Sequence, residues 1–95
     1  MAIDDFYDLS DLRNDTERLV FEELERQLKT AGPEVPRSQE SVLDMAAYSL
    51  NHARPLYRVN LIGRLYALSS TEQRDREVRA AVAEAIKRVT EHPPA

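Results

Sequence analysis

Apolar residues recur at helical spacing along most of the chain, and the first such segment follows Asn14. Asn14 can accept hydrogen bonds from the free amides of a first turn, and Glu17 stands at the capping-box position three residues later. The apolar positions that continue this face are Leu19, Val20, Leu24, Leu28 and Ala31. Gly32 offers a left-handed C-cap, and Pro33 blocks continuation. The pattern predicts a helix over about residues 15–30.

A second helix is predicted to run from Ser38, a natural N-cap, towards Ala53, and Pro55 ends it. Its apolar surface is unusually broad. One stripe consists of Val42, Met45, Ala46, Ser49, Leu50 and Ala53, and a second apolar side consists of Leu43, Ala47 and Tyr48. This breadth predicts a central helix that neighbouring elements bury on more than one side.

The last helix is predicted to begin at Ser69 or Ser70 and to end before Pro93 and Pro94. Its apolar stripe consists of Val78, Ala81, Val82, Ala85, Ile86 and Val89. Residues 54–68 contain proline, glycine, and β-branched and aromatic residues without helical periodicity. They therefore predict an extended segment or a small hairpin before the last helix.

The predicted fold is a single all-α domain over residues 1–95, because a chain of 95 residues has room for one hydrophobic core. Three main helices form a compact bundle around the second of them. Residues 1–13 form an N-terminal arm, where the spacing of Ile3, Phe6 and Tyr7 predicts a short amphipathic helix near residues 2–10. Since a core of this size is small, we expect a homodimer.

Composition excludes several classes of protein. The net charge of −4 argues against general nucleic-acid binding. The absence of cysteine excludes a disulfide scaffold, a thiolate zinc site and a cysteine nucleophile. The N-terminus lacks the basic flank and apolar core of a signal peptide, and no apolar stretch is long enough for a membrane span. We expect a soluble cytoplasmic protein with no membrane association.

Motifs of catalysis and metal binding are also missing from the sequence. The glycine-rich phosphate loops and the nucleophile elbow do not occur. His52 and His92 lie far apart and lack the companions that metal ligation at helical spacing requires. The acids of the first helix lie among polar positions, as on a solvated face. We therefore expect no enzyme activity, no metal site and no cofactor.

The central part of this acidic chain is free of acids: Met45 to Thr71 contains no aspartate or glutamate. That window holds arginines and a histidine beside tyrosines, namely Arg54, Arg58, Arg64, His52, Tyr48, Tyr57 and Tyr66. Guanidinium groups bind phosphate bidentately and stack, with tyrosine rings, on nucleobases, so the window can form a nucleotide site. Alternatively, the arginines pair with acids of the first helix or line a dimer interface.

The same region resembles the core of the late competence development protein family, ComFB. That family's pattern is an aspartate, a helix of small residues ending in Leu-Asn, then Pro-Pro-x-Tyr-Val and a later glycine. The residues that carry the resemblance here are Asp44, Leu50, Asn51, Pro55, Tyr57 and Gly63. Many members also have Cys-x-x-Cys before the aspartate, where this chain has Ser38 and Ser41. The resemblance therefore implies no zinc site in this chain.

The resemblance implies a small dimeric helical protein without catalytic activity that acts as a receptor for cyclic di-GMP, linked to competence and type IV pili. The candidate ligand-binding residues are Asn51, Arg54, Tyr57, Arg58 and Arg64. Arg54 and Arg58 depart from the family's Pro-Pro-x-Tyr-Val, so this turn is rearranged. Asn51 and Pro55 can equally serve only to end a helix and form a turn. The alternative function is a ligand-free adaptor that docks an unknown protein partner.

Overall fold

The computed structural model describes residues 2–58 and 71–94. These residues form three α-helices, which are α1 (Thr16–Thr30), α2 (Gln39–His52) and α3 (Thr71–Glu91). A short 3₁₀ helix, Ile3–Asp5, precedes them. Two short strands, β1 (Arg13–Asn14) and β2 (Tyr57–Arg58), pair antiparallel, with Arg13 opposite Arg58 and Asn14 opposite Tyr57. The predominantly helical fold is confirmed, and the predicted bounds of α1 and α2 and the predicted end of α3 hold to within one or two residues. Ser69 and Ser70, the predicted start of α3, lie outside the described residues.

The hydrophobic core lies where α3 packs against both α1 and α2. The buried apolar residues are Val20 and Leu24 of α1, Val35, Met45, Ala53, and Val78, Ala81, Val82, Ala85, Ile86 and Val89 of α3. Most of these side chains belong to α3, so the core is centred on the last helix and not on the second. The second apolar side predicted for α2 is only partly covered by the described residues: Tyr48 packs against the core, whereas Ala47 is exposed and Leu43 is 57% exposed.

The C-terminus of α1 is capped by an arginine and not by the predicted left-handed glycine. The chain leaves α1 in an extended conformation at Ala31, and Gly32 has no positive φ. Arg37 Nη2 donates to the carbonyl oxygens of Leu28 and Ala31 at 2.8 and 3.1 Å. Its Nη1 donates to Val35 O at 2.9 Å and to the Gly32 carbonyl at 3.3 Å. The guanidinium thus satisfies carbonyls that a helix end leaves without partners.

Replacing Arg37 by alanine is expected to lower the free energy of unfolding by about 1 kcal/mol, because solvent-accessible carbonyls regain water once the guanidinium is gone. Chemical denaturation followed by circular dichroism measures the change. Lys29→Ala is the matched control, because Lys29 forms a surface ion pair with Glu25 and binds no carbonyl of the helix end. Equal effects of the two substitutions would show that the arginine cap contributes nothing beyond its charge.

The predicted N-cap of α2 is confirmed. Ser38 Oγ accepts a hydrogen bond from the Ser41 amide at 3.1 Å, and the two hydroxyl oxygens lie 2.9 Å apart. These serines stand where many ComFB-like sequences have cysteines. Here they begin a helix through backbone and hydroxyl hydrogen bonds.

The predictions for the N-terminal arm and for the segment after α2 are only partly met. The N-terminal arm forms one 3₁₀ turn in place of an amphipathic helix over residues 2–10, and its apolar side chains stay exposed. Without burial, a short helix does not offset its nucleation cost. In the predicted extended segment, β2 is a strand, and it pairs with β1 of the arm. Residues 59–68 of that segment lie outside the described residues.

Candidate functional site

The candidate ligand-binding residues lie at the C-terminal end of α2 and in the segment that follows it. Asn51 is exposed in the last turn of α2, and Arg54 is exposed in the connection to β2. Tyr57 is 61% exposed in β2. Arg58 is the second residue of that strand, and its backbone lies opposite Arg13. Arg64 lies outside the described residues.

The segment that carries Arg54 and Tyr57 is hydrogen-bonded to the start of α1, at residues 14–16. The Asp15 amide donates to Leu56 O at 2.7 Å, and Thr16 Oγ1 donates to Arg54 O at 2.8 Å. Asn14 Oδ1 accepts from the Leu56 amide at 2.8 Å and from the Thr16 amide at 3.2 Å. The N-cap of α1 is Asp15 and not the predicted Asn14, which stands one residue earlier and joins the start of α1 to the candidate site.

Replacing Asn14 by alanine is expected to cost about 1–2 kcal/mol of unfolding free energy, because two amides lose their acceptor. Segment 54–57 keeps its hydrogen bonds to the Asp15 amide and the Thr16 hydroxyl but loses the one from Leu56 to Asn14, so a ligand that uses Arg54 is expected to bind more weakly. Denaturation and ligand titration of the same variant measure the two effects. Asn14→Asp is the matched control, because it keeps an oxygen acceptor at this place. A variant Asn14→Ala with unchanged stability would contradict this role.

Arg54 forms an ion pair with Glu77 of α3. Its Nη2 lies 2.6 Å from Glu77 Oε1, and its Nε donates to the same carboxylate at 2.9 and 3.2 Å. These hydrogen bonds, and then the charge of Glu77, raise the pKa of the Arg54 guanidinium. The arginine side chain remains 70% exposed. The guanidinium therefore already binds a planar anion through Nε and Nη2, at a place that solvent can reach.

Arg54 and Tyr57 face different depressions of the surface. Arg54 lines a small pocket of about 210 Å³, together with Pro55, Gln73, Arg74 and Glu77. The second arginine of this pocket, Arg74, lies on α3 and is half-buried. Tyr57 lines a separate depression beside Leu12 and Phe21. The structure thus adds Arg74 to Arg54 as an anion-binding candidate, and Arg74 was not among the residues that the sequence analysis singled out.

An aromatic pair near the end of α2 was not among the predicted site residues. The rings of Tyr48 and His52 stack at 3.9 Å between centroids with an interplanar angle of 13°. The Arg88 guanidinium lies 5.8 Å from the centre of the Tyr48 ring. The pKa of Arg88 is raised, first by its hydrogen bond to Glu84. The i, i+4 spacing of the two aromatic residues on a predicted helix was the signal that could have identified this pair.

None of the helices within residues 2–58 and 71–94 is both long enough and apolar enough to span a membrane.

Comparison with known proteins identifies the family. The model of the family described as "Late competence development protein ComFB" matches residues 13–93 of the chain. No curated protein matches the chain. The match includes all three helices and every candidate ligand-binding residue, and it begins at β1, so the exposed N-terminal arm before residue 13 lies outside it. The chain therefore belongs to the late competence development protein ComFB family, a family of competence-related proteins.

Proposed function

We propose that this protein is a dimeric cytoplasmic receptor for cyclic di-GMP, without catalytic activity, that acts in competence or in type IV pilus function. Membership of the ComFB family supports the link to competence. The observation that carries the ligand proposal is Arg54, whose exposed guanidinium binds a carboxylate in a fork at the rim of a pocket. A phosphate of the ligand takes the place of the Glu77 carboxylate in this proposal.

The exchange of Glu77 for phosphate requires little free energy. Ion pairs that water reaches contribute little to stability, and water reaches this one mainly through Arg54, which is 70% exposed beside a partly buried Glu77. A phosphodiester that contacts both Arg54 and Arg74 is bound by two guanidinium groups, whereas the Glu77 carboxylate forms its ion pair with Arg54. The exposed ring of Tyr57 is suited to stacking on a nucleobase, and so is the exposed His52, which stacks on the partly buried Tyr48.

The size of the pocket supports a dimeric receptor. About 210 Å³ is less than the volumes of roughly 300 Å³ or more that are typical of pockets for drug-sized ligands. A cyclic dinucleotide has two phosphates and two guanines related by a two-fold axis, and a homodimer has the same symmetry. In this proposal, each protomer contributes arginines to one half of the ligand.

A thermal-shift measurement tests the proposal. Cyclic di-GMP at about 100 times its dissociation constant stabilises the folded state by about 2.7 kcal/mol, which raises the melting temperature of a domain of this size by roughly 10–20 °C. Cyclic di-AMP and GTP at equal concentration control for charge and guanine alone. Equal small shifts with all three nucleotides would contradict the proposal.

The second candidate function is a ligand-free adaptor that docks a protein partner. The observation that favours it is the exposed apolar surface of α1 and α2, where Phe21 and Leu43 are more than half exposed. On this hypothesis the ion pair between Arg54 and Glu77 only ties the segment after α2 to α3. On this hypothesis, no nucleotide changes the melting temperature of the wild type or of a variant that lacks Arg54.

A further inference from the structure

The segment before β1 is rich in both apolar and acidic residues, and we call residues 2–12 the acidic arm. Every residue of the acidic arm is exposed. Its large apolar side chains are 43–66% exposed, and they are Ile3, Phe6, Tyr7, Leu9 and Leu12. A single exposed apolar residue needs no explanation, but several within one short segment mark a surface that another molecule covers.

The acidic arm accounts for the entire net charge of the chain. It contains Asp4, Asp5, Asp8 and Asp11 and no lysine or arginine. The whole chain has 17 acids and 13 bases, so the residues after the arm hold equal numbers of each. Nucleic acid and anionic membranes repel a segment of this charge. The charge therefore favours a protein partner with lysine and arginine around its binding surface.

A helical conformation separates the acidic and apolar residues of the arm onto two faces. At about 100° per residue, the four aspartates fall within an arc of about 120°. A separate arc of about 160° holds Ile3, Phe6, Tyr7 and Leu9. An amphipathic helix of this kind inserts its apolar face into a groove of the partner, and its charged face pairs with the rim of that groove.

The structure already contains the first turn of such a helix. The Tyr7 amide donates to Ile3 O at 3.0 Å, which is the spacing of an α-helical hydrogen bond. Asp5 Oδ2 accepts from the Ala2 amide at 3.2 Å, as in the N-terminal cap of a helix. Nucleation is the costly step of helix formation, but a helix of about ten residues is marginal in water without burial. Burial against a partner would therefore extend this turn.

The base of the acidic arm is fixed to the fold. Arg13 and Asn14 directly after it form β1, which pairs with β2, and Asn14 Oδ1 accepts from the Leu56 amide. The arm is thus presented at a defined place, and only residues 2–12 need to become ordered on binding. The arm also precedes residues 13–93, which match the family, so the family match assigns it no role.

We propose that the acidic arm is a docking segment for a separate protein that presents an apolar groove rimmed by lysine and arginine. In the complex, residues 2–10 form an amphipathic helix. Its Ile3 and Phe6 face the apolar floor of the groove, and its aspartates face the basic rim. The three-helix bundle takes no part in this contact, and docking does not depend on nucleotide.

The test uses a designed helical hairpin as the probe, with a groove lined by leucine and rimmed by lysine. Two control hairpins each change one feature: glutamate replaces the rim lysines, or serine replaces the groove leucines. The hairpins are titrated into full-length, nucleotide-free protein labelled with ¹⁵N and ¹³C. We expect saturable binding of the lysine-rimmed hairpin, with shifts confined to the amides of residues 2–12 and Cα shifts of residues 2–10 moving to helical values. Both controls are expected to bind roughly tenfold more weakly or worse.

Substitutions in the chain locate the contact. Phe6→Ala is expected to weaken binding of the lysine-rimmed hairpin roughly tenfold or more, because it removes a large apolar anchor. Asp8→Asn is expected to weaken it roughly two- to fivefold at low salt. Phe21→Ala is the matched control, because Phe21 is also an exposed phenylalanine but lies on α1, and it is expected to leave the affinity unchanged. Since no residue of the arm is buried, Phe6→Ala is expected to keep the melting temperature of the wild type.

Three outcomes would overturn the proposal. The first is absence of binding of the lysine-rimmed hairpin at about 1 mM, and the second is equal binding of the glutamate-rimmed hairpin. The third is a set of shifts on α1 and α2 that Phe21→Ala removes and Phe6→Ala does not, because the docking surface would then lie on the helices. A chain that binds the hairpin through its arm but binds no nucleotide would retain this proposal and reject the receptor function.

Discussion

Replacing Met45 by alanine is expected to lower the free energy of unfolding by about 2–5 kcal/mol. Met45 has no exposed surface, and among the residues that the structure describes it is the largest of the fully buried side chains. It brings α2 into the core that α3 dominates, so its removal leaves a cavity at the contact of the two helices. A loss of this size is a large part of the total stability of a small domain.

Urea denaturation at one fixed protein concentration measures this loss, since a dimer makes stability depend on concentration. Met45→Leu is the matched control, because a similar volume is kept, and a cost of less than about 1.5 kcal/mol is expected. If alanine and leucine had equal small effects, the packing of α2 against α3 described above would be incorrect.

Arg54→Ala is expected to weaken the binding of cyclic di-GMP roughly tenfold or more, because a charge-assisted contact to phosphate is lost. Glu77→Gln is expected to act in the opposite direction. It removes the carboxylate that competes with phosphate for the guanidinium, so affinity rises roughly two- to fivefold. Opposite signs from the two members of one ion pair are the signature of a ligand site.

Calorimetric titration of both variants checks this prediction, and their melting temperatures without ligand provide the control. If the ion pair serves only the fold, breaking it from either side lowers stability by a similar small amount and leaves nucleotide binding unaltered. A fall in affinity with Glu77→Gln would also contradict the proposed exchange, because it would mean that the carboxylate itself supports the ligand.

The helices could be predicted because local signals and tertiary packing agree. Ser38 forms the N-cap that its residue type favours, and the apolar stripe of α3 is the one that is buried. The end of α1 was predicted correctly, but the group that caps it was not, because that group is the side chain of Arg37, several residues beyond the helix. The position of Gly32 before Pro33 carried no information about that contact.

The candidate site was only partly predictable. Family resemblance and the acid-free window identified Arg54 and Tyr57, and the structure places both on the segment fixed to the start of α1. The partner of Arg54 is Glu77, 23 residues away on another helix, and helical periodicity cannot reveal such a pair. The pairing of β1 with β2 was also missed, because strands of two residues show no periodic pattern in the sequence.

The most direct test of the central claim is isothermal titration calorimetry of the nucleotide-free wild-type protein with cyclic di-GMP, beside cyclic di-AMP and GTP. We expect saturable heat with cyclic di-GMP and much weaker binding of the two controls. Absence of binding by a folded protein, verified by circular dichroism, would contradict the receptor function and favour the adaptor.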